Sequence, residues 1–144
     1  MSEEKNEKFD ILIEYIKDLS IETPSLRSLT FVRDNIKNYI MDIDISSLML
    51  QSKALEVTTK LTLQDKKNSP EKAFFEIKYS TVIKIDESVT EKNIISKIVL
   101  CDLQKKIYPK LEKIFVNLIK DSGYPNLVFE KKVDFEKLYQ ERFN

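Results

Sequence analysis

Asp42 and Asp44 stand two residues apart, and on a β-strand that spacing turns both carboxylates to one side. Such a pair could hold a divalent cation or share acid–base work. Nothing else in the sequence completes it. The chain contains no His, so the usual neutral-pH general base and the commonest metal ligand are both missing. Cys101 is the one cysteine. With no His to activate it and no second thiol beside it, it reads as a small hydrophobe rather than a nucleophile, a disulfide partner or a zinc ligand. A single Gly excludes the phosphate-cradling loop and the dinucleotide fingerprint. No metal and no cofactor is expected, and the aspartate pair reads as part of a solvated sheet face. Lys+Arg 24 balance Asp+Glu 24, whereas a generic nucleic-acid binder would be basic. Tyr 6 and Phe 8 include Phe31, Tyr139 and Phe143 at places a simple core does not need; ordinary packing is one reading of them and an exposed apolar groove or an oligomer interface is the other.

The elements that must position these residues follow from periodicity. Phe9, Ile11, Ile13 and Tyr15 alternate with Asp10, Leu12 and Glu14, the pattern of a half-buried strand. The stretch Asp18 to Pro24 closes it, because proline does not sit inside a central strand. Thr23 to Asn38 then reads as a long connection, rich in Leu26, Leu29, Phe31, Val32 and Ile36 but without a clean period. Three more alternating runs follow, centred on Ile43, Leu61 and Ile77, the last two joined by a polar hairpin loop at 65–70.

From about Thr90 the period lengthens to that of a helix, and Leu103, Ile107, Leu111, Ile114 and Leu118 recur at three and four. Pro109 should break or kink that run. Gly123 and Pro125 should end it, and Asp134 should cap a last helix. Strands first and helices after predict an α+β fold: a four-stranded antiparallel sheet with one face covered by two principal C-terminal helices. The length fits one domain, 1–144, with a polar and flexible start at 1–8. That start lacks the features of a secretory signal, and no apolar run approaches a membrane span. A cytoplasmic protein is expected, with no direct membrane insertion.

Tyr15-Ile16-Lys17-Asp18-Leu19-Ser20-Ile21-Glu22-Thr23-Pro24 resembles the tyrosine–x–lysine–aspartate–x–serine–x–glutamate–x–proline signature in the first strand of the SecB family of protein-export chaperones. Asp42-Ile43-Asp44 with Leu55-Glu56-Val57 is similar to that family's second and third strands, and Ala73-Phe74-Phe75-Glu76-Ile77 to its fourth. Tyr108-Pro109, Gly123-Tyr124-Pro125-Asn126-Leu127 and Val133-Asp134-Phe135-Glu136-Lys137-Leu138-Tyr139 resemble its helical half. The motifs keep their order from about residue 9 to 140.

The resemblance implies a sheet with a long crossover connection and a homotetramer, a dimer of dimers, built through the first strand and the main helix. It also implies a non-enzymatic holdase that uses no nucleotide. Such a protein binds unfolded preproteins in apolar grooves and passes them to the SecA motor. Carried over by residue, Asp18, Glu22, Phe74 and Glu76 would contact SecA. Leu26, Leu29 and Phe31 of the crossover, with Leu138 and Tyr139 of the last helix, would line the client groove. An alternative is a SecB-like chaperone dedicated to one partner, such as an antitoxin, without a SecA role. A small enzyme and a purely structural oligomerisation module fit the residues less well.

Overall fold

A computed structural model describes residues 8–129 and 132–143. The expected flexible start therefore falls outside the described residues except for Lys8, whose carbonyl accepts from Asp86 N at 2.8 Å. Four strands, β1 (Phe9–Glu22), β2 (Tyr39–Gln51), β3 (Ala54–Asp65) and β4 (Phe74–Ile85), form one sheet in the order β1-β4-β3-β2. Every neighbouring pair is antiparallel. Because β1 lies beside β4, the chain must cross the sheet to reach β2 at the opposite edge.

The central strands show why the sheet has two different faces. On β4, Phe75, Ile77, Tyr79, Ile83 and Ile85 are buried, opposite Leu63, Leu61, Thr59, Leu55 and their neighbours on β3. The intervening residues point to the open side. The hairpin between these strands turns where Asp65 accepts backbone N–H bonds from Lys67 and Ser69, at 2.9 and 2.7 Å, as an aspartate does in an Asx-type turn.

β1 departs from its simple alternation and runs to Glu22, well beyond Asp18. Its register against β4 shifts between Ile11 and Ile13 and again between Ile16 and Asp18. Each shift is a bulge that turns the following side chains over. Ile13 and Tyr15 thus sit opposite Val82 and Ser80 on the open face, while Phe9 and Ile11 sit on the covered one.

The crossover is not irregular. Helix α1 (Leu26–Asn35) begins where Ser25 Oγ accepts from Ser28 N at 3.1 Å. Its buried side is Ser28 and Val32, with Leu29 and Ile36 packed beside them. Ser28 Oγ donates to Glu71 at 2.8 Å and fastens the crossover to the β3–β4 loop.

On the covered face lie α2 (Lys92–Lys97), a π-helical turn (Ile98–Asp102) and α3 (Leu103–Asp121), in unbroken succession. The break expected at Pro109 does not occur. The proline ring is exposed, and Ile107, Tyr108 and Leu111 around it are buried, so packing offsets one missing hydrogen bond. The irregularity falls at the π turn instead. There the buried Gln104 donates from Nε2 to Val99 O at 3.2 Å and accepts from Thr59 Oγ1 at 3.1 Å, tying the turn to β3.

α3 ends at the chain's single glycine, Gly123, with φ 123°. That angle is open to glycine and costly for other residues. It returns Tyr124 to the core, edge-on to Phe75 at 5.1 Å. Helix α4 (Phe135–Phe143) starts as expected at Asp134, which accepts from Lys137 N at 3.1 Å.

Candidate functional site: an apolar groove and an open sheet face

The helical layer is narrower than the sheet. α3 lies over the middle, where alternate residues of β3 and β4 are buried, but of β2 only Tyr39 is. Met41, Ile43 and Ile45 on the covered side of β2 stay half-buried because α4 is the element facing them. A cavity of about 330 Å³ lies between Ile43, Ile45 and Leu100 on one wall and Phe135, Leu138 and Tyr139 on the other. A second, of about 430 Å³, adjoins it at Ile43 and Leu138 and extends to Met41, Phe129 and Val133. A third, of about 140 Å³, carries the line past Ile45 to Ser47, Ile95 and Val99. Together they form one groove along β2. From Met41 to Ser47 an extended chain rises roughly 20 Å, at about 3.3 Å per residue.

Contacts along the first half of α4 hold it over this groove. Lys105 Nζ meets Glu136 at 2.6 Å, Tyr139 Oη donates to Asn93 O at 3.3 Å, and Phe135 stacks edge-on with Tyr108 at 5.2 Å. The Lys105 ammonium keeps the Glu136 carboxyl below its usual range. Cys101, Asp102 and Glu136 draw within 4.8 Å of one another, but the Lys105 charge already sits against that group and burial pushes the Cys101 thiol up. Asp42, for its part, pairs with Lys66 at 3.1 Å.

The structure divides the five expected groove residues. Leu138 and Tyr139 line the groove, Leu138 remaining 45% exposed. Leu26, Leu29 and Phe31 lie on α1 and line none of these three cavities. Leu26 is 75% exposed, Phe31 is half-buried, and Leu29 packs on the core beside Gly123. Sequence reasoning missed Met41, Ile43, Ile45, Leu100 and Phe135 as wall residues. Their alternation was visible, but alternation says which side chains share a face and not how far the helices reach across it.

The other face of the sheet has no covering layer among the described residues. Register places Glu22 opposite Phe74, Ser20 opposite Glu76, and Asp18 opposite Lys78, all on this open side. Glu22, Phe74 and Glu76 therefore occupy one end of one face, with Asp18 on the same face nearer its centre. Phe74 is 43% exposed. Glu22 accepts from Ser20 at 2.8 Å, and Glu76 from Thr62 at 3.3 Å.

Further along this face, Glu56 of β3 gathers the Ser80 hydroxyl, Tyr15 Oη at 2.6 Å and Lys17 Nζ at 3.3 Å. The Ser80 and Tyr15 bonds, with Lys17, hold its carboxyl at about 2 against an ordinary 4.5. That knot ties β1, β4 and β3 together.

Known proteins agree with this geometry. The family described as preprotein translocase subunit SecB matches residues 2–144. A putative protein-export protein SecB from Pelagibacter ubique (strain HTCC1062) is 47% identical over 138 residues, covering 96% of this chain and 99% of that one. The protein-export protein SecB of Bradyrhizobium sp. (strain BTAi1) is 27% identical over 136 residues, covering 93% and 81%. Among solved structures, the Mycobacterium tuberculosis SecB-like chaperone, in complex with an antitoxin peptide, superposes with a TM-score of 0.58 at 10% identity, covering 87% of this chain and 91% of that one. Sheet order, crossover and near-full-length sequence identity converge, and the chain belongs to the SecB family of protein-export chaperones.

Proposed function

We propose that this chain is an ATP-independent holdase that keeps unfolded preproteins extended in the β2–α4 groove and delivers them to the SecA motor. The observation that carries the reading is the groove itself: an apolar strand face, open to solvent beside a short helix and rimmed by the charges of Asp42, Lys132, Asp134, Lys137 and Glu141. Apolar burial is non-directional and contributes about 25 cal/mol per Å², so such a groove accepts many sequences provided they are extended. Folded proteins hide that surface and unfolded ones offer it, which is the source of selectivity. Leu26 and Phe31 on α1 supply a separate apolar contact for clients long enough to reach it.

Asp18, Glu22, Phe74 and Glu76 form the SecA contact in this reading. The protein works in the cytoplasm as a homotetramer, a dimer of dimers. Leu12, Ile16 and Leu19, exposed on the edge strand β1, are the surface that assembly would cover. No helix among the described residues is long and apolar enough to cross a membrane.

Native mass spectrometry with and without an unfolded preprotein tests holding and assembly together. A tetramer that takes up the unfolded chain and ignores its folded form is expected; a protein that binds neither refutes the holdase. For delivery, Glu76→Lys should abolish SecA binding and leave client binding intact, and unchanged SecA affinity would disprove the contact.

The antitoxin peptide held by the Mycobacterium tuberculosis relative favours a second reading, a chaperone devoted to one partner. In that case a pull-down from the native cell would be dominated by one protein, and SecA would not bind.

A further inference from the structure

The open face is not uniformly acidic. At its centre Lys60 of β3 stands directly opposite Lys78 of β4, with Asp44 of β2 opposite Lys60 and Asp18 of β1 opposite Lys78. Like charges directly opposed on a sheet face destabilise it. Both lysines are half-buried, and neither makes an ion pair or hydrogen bond among the described residues. Together with Lys17, Asp44, Ser46 and Thr58 they wall a cavity of about 220 Å³. Lys17 already serves Glu56, so the two central ammonium groups are the donors left over.

We propose that Lys60 and Lys78, with Lys17, Ser46 and Thr58 around them, form a carboxylate-binding pocket at the centre of the open face, filled by an acidic side chain on an extended segment of a docked protein partner. The pocket's own charges choose among anions. Asp44 in its wall and Asp18 beside it offset the two lysines, so an anion is held by directional donation from two ammonium groups and two hydroxyls rather than by net charge, and the aspartates repel a doubly charged phosphate or a nucleic-acid backbone more than a singly charged carboxylate. The pocket also lies between the acidic end of the face, Glu22 and Glu76, and the far end, where Glu56 is neutralised by its partners. A complementary partner is therefore basic at one end and acidic at its middle, and charge pattern rather than bulk charge sets its register. This rests on the reading of the open face as a docking surface.

The test titrates the full-length protein at low ionic strength, where surface charges are least screened. The probes are a capped hexapeptide with two adjacent glutamates, the same peptide with glutamines, inorganic phosphate and a single-stranded DNA oligonucleotide. Amide NMR shifts centred on Thr58, Lys60 and Lys78 are expected with the glutamate peptide alone. Lys60→Gln/Lys78→Gln should weaken that binding about tenfold or more, and the charge-conserving Lys60→Arg/Lys78→Arg should retain it. Unaltered binding by the Gln pair, tighter binding of phosphate or oligonucleotide, or no binding by the native protein would overturn the pocket.

SecA supplies an arm with opposite signs. Lys60→Glu/Lys78→Glu makes the face more acidic, so a plain acidic plate would hold a basic partner more tightly, whereas the pocket requires weaker binding. Should SecA fail to bind the native protein while the glutamate peptide still does, the SecA reading falls and the pocket stands.

Discussion

Glu56→Gln tests the knot on the open face, and its effect can be worked from the geometry. The native carboxyl is held at about 2 instead of 4.5 by the Ser80 and Tyr15 hydroxyls and by Lys17. At about 1.4 kcal/mol per pKa unit, the upper limit on its contribution to stability is about 3.4 kcal/mol. The side chain retains 15% of its exposure on an uncovered face, and screening by solvent lowers the expected value to about 1–2 kcal/mol.

The sign follows from the direction of the shift. A carboxyl depressed in the folded state stabilises fully above its unfolded value, and that contribution drains away as pH falls from about 4.5 towards 2. Thermal midpoints of native and variant protein, compared at matched concentration because assembly moves both, should differ by roughly 3–6 °C at pH 7. The gap should hold down to about pH 5 and close by about pH 2. Asp65, Asp86 and Glu136 are depressed as well, but they are present in both proteins and cancel in the difference. A gap that stays constant at every pH, or no gap at pH 7, would refute the argument.

Three other substitutions probe separate links between sequence and function. Gln104→Leu strands Thr59 Oγ1 and Val99 O inside the core and should lower stability to urea by about 1–3 kcal/mol, with Thr59→Val in the same chain recovering part of the loss. Gly123→Ala forces a side chain onto φ 123° and brings its Cβ to 3.1 Å from Leu29 Cδ1, so a loss of about 1–2 kcal/mol is expected in the same assay. Leu138→Asp places a charge in the groove from a position already 45% exposed; it should cut suppression of client aggregation severalfold while shifting stability by less than about 1 kcal/mol.

Strands β3 and β4 could be read directly because one of their faces is wholly buried, which forces strict alternation. β1 could be located but not oriented. Its bulges at Ile11/Ile13 and Ile16/Asp18 leave no trace in composition, so Ile13 and Tyr15 were placed with Phe9 on the wrong side. α1 was read as part of a long connection because, with just Ser28 and Val32 buried, its stripe is too thin to show a period. Glu56 could not be found from spacing at all, since its partners Tyr15 and Ser80 lie 41 and 24 residues away and only the folded sheet brings them together. The signature around Asp18 and Glu22 marked one stretch of β1, and pairing with β4 sets Phe74 opposite Glu22 and Glu76 opposite Ser20, a juxtaposition that spacing alone does not give.

The two surfaces share a strand, and this bears on how a chaperone could pass on its load. Along β2, Ile43 and Ile45 face the groove, opposite Leu61 and Thr59 of β3, while Asp44 between them faces the open side, opposite Lys60. In the proposed function, a client lying on the first set and a partner docked on the second would meet the same backbone from opposite sides, with Ser46 lining a cavity on each. In that reading capture and docking can coexist on one protomer, and release would not have to precede contact with the motor. Were the two surfaces one, a bound client would block the proposed delivery; the period-2 geometry of an edge strand turns Ile43 and Ile45 away from Asp44.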